Sequence, residues 1–244
     1  MTSLNRDMLD LFVDIDITCE TDSRYDKMLI PLCRKGIGYS EKDDQHFLTI
    51  RYWTFSIFQW WGFKKILTNI CDKLIELKII GCGIDNDKFI ELITVLKIHN
   101  IITSLDLSEN HITSLNSIEY LTNLQELSFA FNDKIEDITS ISKLYNLQSL
   151  NFRVNLIQHL EPLRNLENLR QLDLSINQIT DISPLWKLQK LKKLSLYANY
   201  QLQFIGQLSG LTQLEVLNVA QCDIRSPKYI ERLKYYLPYC HINY

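Results

Sequence analysis

The sequence is poor in residues that interrupt regular structure, with seven glycines and five prolines in 244 residues. Connections between its elements are therefore expected to be short and regular. It also lacks any metal-binding cysteine pattern. Cys19, Cys33, Cys71, Cys82, Cys222 and Cys240 form no C-x-x-C pair and have no paired histidines nearby, which excludes the usual zinc spacings. Neither sign of charge dominates: 26 basic residues against 29 acidic ones give a net charge of −3, with no electrostatic case for nucleic acid or an anionic membrane. Long apolar runs are missing too, because the longest, around Trp53 to Phe63, is too short and mixed to span a bilayer. The first twenty residues carry Arg6, Asp7, Asp10, Asp14 and Asp16, which the apolar core of a secretory signal does not tolerate. A cytoplasmic product with reduced cysteines is expected.

Catalytic signatures are equally scarce. There is no glycine-rich phosphate loop, no serine-centred elbow and no clustered carboxylate pair in the repeats. His46, His99, His111, His159 and His241 are scattered without partner spacing and read as solvent-facing loop residues. No cofactor and no metal are expected. Disorder is excluded as well, since 46% of residues are apolar and 23% charged, ordinary values for a globular chain.

What the sequence does contain is one pattern, L-x-x-L-x-L-x-x-N-x-I, seven times over. The framework residues are Ile102-Leu105-Leu107-Asn110-Ile112, Leu124-Leu127-Phe129-Asn132-Ile135, Leu147-Leu150-Phe152-Asn155-Ile157, Leu169-Leu172-Leu174-Asn177-Ile179 and Leu191-Leu194-Leu196-Asn199-Leu202. The outer copies place cysteine in the Asn slot: Leu74-Leu77-Ile79-Cys82-Ile84 and Leu214-Leu217-Val219-Cys222-Ile224. Such a period specifies a solenoid, because no copy can bury its apolar residues alone and stacking neighbours closes a continuous core. Alternation at Leu172 and Leu174 makes a short strand that points both inward and leaves Gln171, Asp173 and Ser175 outside. The Asn amide both donates and accepts, so stacked Asn side chains can satisfy backbone groups that the turn buries. Asn116 and Asn146 lie outside that slot and are expected to carry no such role. Ile182, Leu185 and Leu188, three apart, suit a 3₁₀ or extended return. The fold class is thus α/β, a repeat solenoid with parallel strands starting near Leu74, Ile102, Leu124, Leu147, Leu169, Leu191 and Leu214.

Departures from the period locate the ends. The copies at Asn132 and Asn199 each carry one extra residue just after the Asn. The return from Asp87 to Ile98 has helical periodicity and is predicted to be an α-helix. Residues 227–244 form a C-terminal cap: a helix from Pro227 with Ile230, Leu233 and Leu237 on one face, stopped by Pro238, then a strand within Cys240 to Tyr244. Residues 1–73 do not repeat and read as an N-terminal capping region, and 74–226 as the repeats. Within the first region, Leu11 to Thr18 alternates as a strand, Thr21 to Asp26 and Cys33 to Asp44 read as polar loops, His46 to Phe63 is aromatic-dense, and Lys64 to Asp72 reads as a short helix.

The 22-residue copies, notably Ile179-Thr180-Asp181-Ile182-Ser183-Pro184-Leu185, resemble the leucine-rich repeats of bacterial internalins and of the nuclear regulatory subunit of type-1 protein phosphatase. The resemblance covers Leu74 to Tyr244. It implies a leucine-rich repeat fold and a protein that binds other proteins. A second resemblance is local: Val13-Asp14-Ile15-Asp16-Ile17-Thr18 is similar to the first motif of haloacid-dehalogenase-type phosphatases, which would make Asp14 a nucleophile and Asp16 a general acid at a magnesium site. That family's doubly wound sheet does not fit in the roughly fifty-five residues left before the repeats, so two solvated aspartates on an edge strand are expected instead.

The strand face departs from its own pattern just before the Asn. Glu109 is polar there, but the next copies have Phe131, Val154, Ile176 and Ala198, flanked by Ala130, Arg153, Ser175 and Tyr197. With strands about 4.8 Å apart these form one apolar stripe, and Arg and Tyr are enriched at binding hot spots. Phe131, Arg153, Val154, Ile176 and Tyr197 are therefore the candidate partner-binding residues, beside a polar face of Asp106, Asn151, Asp173, Ser195 and Asn218. The expected function is a non-enzymatic module, monomeric alone, that binds one protein partner. An inhibitor or immunity-type protein using the same face is a narrower form of it, and a metal-dependent phosphatase-like N-terminal module is the alternative from another class.

Overall fold

The computed structural model describes residues 37–42 and 45–244. Among them ten strands form one sheet in strict chain order. Strand β1 (Ile37–Lys42) pairs antiparallel with β2 (Gln45–Arg51), and every later pairing is parallel. The sheet continues through β3 (Leu74–Ile80), β4 (Ser104–Asp106), β5 (Glu126–Ser128), β6 (Ser149–Asn151), β7 (Gln171–Asp173), β8 (Lys193–Ser195) and β9 (Val216–Asn218), and ends at β10 (His241–Asn243). The strands at all seven expected positions are present, and the parallel ladder is longer than expected by β2 at one end and β10 at the other.

Register explains the core. Leu77, Leu105, Leu127, Leu150, Leu172, Leu194 and Leu217 align strand to strand and are buried. Behind them Phe129 and Phe152 stack with ring centroids 5.8 Å apart, and Phe89 packs edge-on against Phe129. Five returns are 3₁₀ turns (Ile118–Tyr120, Thr139–Lys143, Glu161–Leu163, Ser183–Lys187 and Gly206–Gly210), each burying an Ile or Leu. The two upstream returns are α-helices, α1 (Ile57–Ile70) and α2 (Asn86–Leu96). The repeats are followed by α3 (Pro227–Tyr236), with Ser226 capping it and Pro227 in its first turn, and then by β10.

Three expectations upstream of Leu74 are corrected. The Cys33 to Asp44 stretch is not all loop, because Ile37–Lys42 is a strand. The helix begins at Ile57 rather than Lys64, set by a capping box in which Gln59 N–H donates to Ser56 Oγ and Ser56 N–H donates to Gln59 Oε1. His46 is no loop residue but a buried position of β2. The aromatic segment splits between two environments: Phe55, Trp60 and Phe63 pack on one another with centroids 5.1–5.6 Å apart, whereas Phe58 and Trp61 are exposed. Helices α1 and α2 are tied by Glu91, whose Oε2 accepts from Trp60 Nε1 at 2.6 Å and Lys64 Nζ at 2.7 Å. The bonds from Lys64 and Trp60 hold this carboxyl below its ordinary range.

Two ladders of asparagine stitch the repeats. In the buried one, Asn110, Asn132, Asn155, Asn177 and Asn199 each accept from a backbone N–H of the preceding turn and donate to carbonyls on both sides. Asn177, for example, accepts from Ile157 N–H at 2.9 Å and donates to the carbonyls of Phe152, Leu174 and Ser175. The thiols in the same slot donate, and their sulfurs are only weak acceptors. Cys222 Sγ reaches the Leu196 carbonyl at 3.2 Å, and Cys82 Sγ reaches Ile80 and Ile50. Burial pushes the Cys82 thiol up to about 12, so it stays protonated. The second ladder lies where each strand begins: Asn123, Asn146 and Asn168 donate to the carbonyls of Asn100, Thr122 and Tyr145, one repeat earlier in each case. Asn146 therefore does carry a cross-repeat bond, contrary to expectation.

Candidate interaction surface

The strands from β3 to β9 all end in the same backbone event. The residue just before the Asn or Cys slot adopts a left-handed conformation at Gly81, Glu109, Phe131, Val154, Ile176, Ala198 and Gln221, with φ between 54° and 64°. Tyr52 repeats it at the end of β2 with φ 54°. The ladder enforces this geometry, because the amides of these residues from Gly81 to Ala198 donate to the next repeat: Phe131 to Arg153, Val154 to Ser175, Ile176 to Tyr197, at 2.7–2.9 Å. Glycine is free there and only Gly81 uses it; a Cβ at Gly81 would also come within 2.6 Å of the Tyr52 ring. For other residues the left-handed region costs about 1–2 kcal/mol, and β-branched Val154 and Ile176 are the least suited to it.

The side chains that bear this strain form the expected ridge. Phe131 is 46% exposed, and Val154, Ile176, Arg153 and Tyr197 are half-buried. The Arg153 guanidinium sits 5.8 Å from the Phe131 ring centroid, within cation–π range. The stripe is narrower than the sequence suggests, because Ala130, Ser175 and Ala198 are buried. It is also longer at its ends. Tyr52 Oη lies 3.5 Å from Glu109 Oε1, and Tyr200 Oη 3.4 Å from Gln221 Oε1, so tyrosines border the column on both sides. Nothing in the repeat pattern marks Tyr52, whose strand matches the pattern at only two positions.

The polar row beside the ridge is not free. Asn151 Oδ1 accepts from Arg153 N–H, Asp173 Oδ1 from Ser175 N–H, Asp106 Oδ1 from Ser108 N–H and Asn218 Oδ1 from Ala220 N–H, at 2.8–3.1 Å. These are local turns made by short polar side chains, and they satisfy amides that the ladder leaves unpaired as the strand bends. Ser108 and Ser175 extend the network to Ser128 and Ser195 at 2.7 Å.

Asp14 and Asp16, the expected strand around them and Thr21 to Asp26 lie outside the described residues. Among the described residues no group of three or more His, Cys, Asp and Glu side chains could hold a metal ion, and no helix is long and apolar enough to cross a membrane. Cys71, Cys82, Cys222 and Cys240 are free thiols.

With this geometry in place, the chain can be set beside known proteins. The model of the family described as Leucine Rich repeats (2 copies) matches residues 102–143, 145–187 and 167–209. No protein of curated function matches. Among solved structures, internalin C2 of Listeria monocytogenes is 27% identical with a TM-score of 0.58, over 68% of this chain and 70% of that one. A second Listeria monocytogenes internalin, inlF, is 22% identical with a TM-score of 0.60, over 80% of this chain and 59% of that one. A leucine-rich repeat protein of Leptospira interrogans is 22% identical with a TM-score of 0.55, over 74% and 57%. This chain thus spans less than two thirds of the last two, and their likeness concerns the fold alone. From the repeat, the ladders and these matches together, the chain carries leucine-rich repeats that resemble those of bacterial internalins.

Proposed function

We propose that this chain is a non-enzymatic interaction module that docks one protein partner on the ridge of Phe131, Val154 and Ile176, oriented by Arg153 and Tyr197. Leucine-rich repeat proteins generally act by binding other proteins, which supports the class. The observation that carries the location is the coincidence of strain with exposure. Two β-branched side chains and a phenylalanine occupy left-handed positions that asparagine or glycine would fill without penalty, and they are not part of the core. Strain of this kind persists where a side chain serves something other than stability. A partner that buries these groups gains apolar contact from each, while the bonded polar row beside them fixes orientation. The module acts in the cytoplasm, is monomeric until it meets its partner, and uses the region before Leu74 as its cap.

The test begins with affinity capture from the native host, followed by binding of the captured partner to purified full-length protein. Changing Phe131→Ser together with Ile176→Ser is expected to weaken binding by about a hundredfold, from the apolar area lost, with an unchanged denaturation midpoint. Unchanged affinity in that variant sinks the proposal.

A further inference from the structure

Charge is distributed unevenly along the strand face. On the outward and strand-starting positions of β3 to β5, Glu76, Asp106 and Glu126 face a single Lys78, which pairs with Glu76 at 3.0 Å. On β6 to β9 the balance reverses: Arg170, Lys192 and Lys193 stand against Asp173 and Glu215 at the same positions, three cations to two carboxylates, and Arg153 follows just past the end of β6, in a chain whose net charge is −3. The carboxylates there are already used. Asp173 accepts from the Ser175 amide and hydroxyl. Glu215 is held by Lys192 at 2.6 Å and also feels the Lys193 charge, so two lysines share one acid. Among the described residues Arg170 is exposed and makes no ion pair, and Arg153 leans on the Phe131 ring rather than on an acid. Among the described residues, Arg153, Arg170 and Lys193 therefore have no carboxylate of their own. The charge of Arg170 and Lys193 lies at the starts of their strands, at the opposite end of the strand face from Val154 and Ile176. Lys193 aligns across the ladder with Gln171 and Ser149, so Arg153 is two strands and four residues away, about 16 Å, a span that roughly five residues of an extended segment cover.

We infer that the partner presents an acidic polypeptide segment carrying apolar anchors, its carboxylates set against Arg170, Lys193 and Arg153 and its apolar groups on Val154 and Ile176. The inference rests on the ridge being the docking site and adds the chemistry of what docks. Complementary charge of this kind speeds encounter and excludes wrongly charged partners, and it is weakened by salt. A protein segment fits better than nucleic acid because the same strand face ends in an apolar ridge and the chain as a whole is acidic.

The experiment uses the full chain and a fluorescein-labelled glutamate-rich peptide with leucine anchors, read by anisotropy. Its counterparts are the same peptide with lysine for each glutamate and a single-stranded oligonucleotide. The acidic peptide is expected to bind at least about tenfold more tightly than the basic one, with affinity falling as salt rises from about 0.05 to 0.5 M. Arg170→Glu with Lys193→Glu should erase that preference, whereas Lys143→Glu, on a return turn, should not. Equal binding of both peptides, no binding of the acidic one, tighter binding of the oligonucleotide, or a silent charge reversal each overturns the inference. Phe131→Ser with Ile176→Ser separates the two readings. If it weakens the captured partner while the charge reversal does not, the ridge stands and the acidic segment falls; if only the charge reversal acts, the ridge falls.

Discussion

The side-chain amide of Asn146 donates to the carbonyl of Thr122 at 2.9 Å, joining one repeat to the next at the point where a strand begins. Asn168 does the same to Tyr145 a repeat later, and Lys190 reaches Asn168 Oδ1 at 2.8 Å where the asparagines run out. This outer ladder is exposed, so water competes for each bond, whereas the inner ladder at Asn155 and Asn177 has no such competitor. Replacing Asn146→Ala should therefore cost about 1 kcal/mol and Asn155→Ala or Asn177→Ala about 1–3 kcal/mol. Asn116→Ala, whose side chain makes no cross-repeat bond, should be neutral. Urea midpoints check this. An Asn146 variant as stable as the Asn116 one would show that the outer ladder contributes nothing.

The thiols of the inner slot should be inert in the folded chain. Cys82 is buried, and its burial raises it to about 12, leaving almost no thiolate near neutral pH. Its hydrogen is also committed to the carbonyls of Ile80 and Ile50. Alkylation followed by mass mapping should find Cys82 protected in native protein and labelled once denatured, with the half-buried Cys240 labelled earlier. Labelling of native Cys82 at the rate of a free thiol would refute its place in the ladder.

Acid should loosen the junction between α1 and α2. Lys64 and Trp60 hold the Glu91 carboxyl below its ordinary value, so the unfolded chain takes up this proton at a higher pH than the folded one does. The contribution is therefore complete above the ordinary glutamate value of about 4.3, and is lost as pH falls through the lowered one. A Glu91→Gln variant should lose stability near neutral pH relative to the parent, and the gap should close towards low pH. Parallel stability curves across that window would rule the linkage out.

The fold was legible from Leu74 onward because seven copies agree in phase, and each framework residue has one physical task. It was illegible before Leu74 for a reason that lies in particular residues. Strand β2 aligns Leu48 with Leu77 and Ile50 with Ile79, but the buried His46 stands opposite Leu74, and Trp53 follows left-handed Tyr52 where Cys82 follows Gly81. A pattern that keeps two of its five framework positions does not announce itself. The Ser56-x-x-Gln59 capping box in the structure marks where α1 begins, seven residues before the expected start at Lys64. At the surface, the sequence named Phe131, Val154 and Ile176 but neither the burial of Ala130, Ser175 and Ala198 nor the backbone conformation along the stripe. Valine and isoleucine argue locally against a positive φ, and only the cross-repeat hydrogen bonds, which depend on register, impose it.

That conflict between local preference and imposed geometry yields the most discriminating prediction. Val154 and Ile176 sit at φ 57° and 56°, where asparagine is tolerated and a β-branched side chain is not. Substituting Val154→Asn and Ile176→Asn removes strain of about 1–2 kcal/mol at each site, against the loss of contacts made by side chains that are only half-buried. The double variant should therefore be at least as stable as the parent, and more stable if those contacts are weak. Ala198→Asn is the contrasting case: it has the same backbone, but its side chain is buried, so the larger group has to be accommodated and stability should fall. Thermal or urea unfolding decides the stability half. The binding half follows from the ridge: a variant more robust than the parent should bind the captured partner more weakly, because the apolar groups are gone. Should Val154→Asn with Ile176→Asn destabilise the fold by more than the strain it relieves, the two side chains belong to the core and the ridge is not a docking surface.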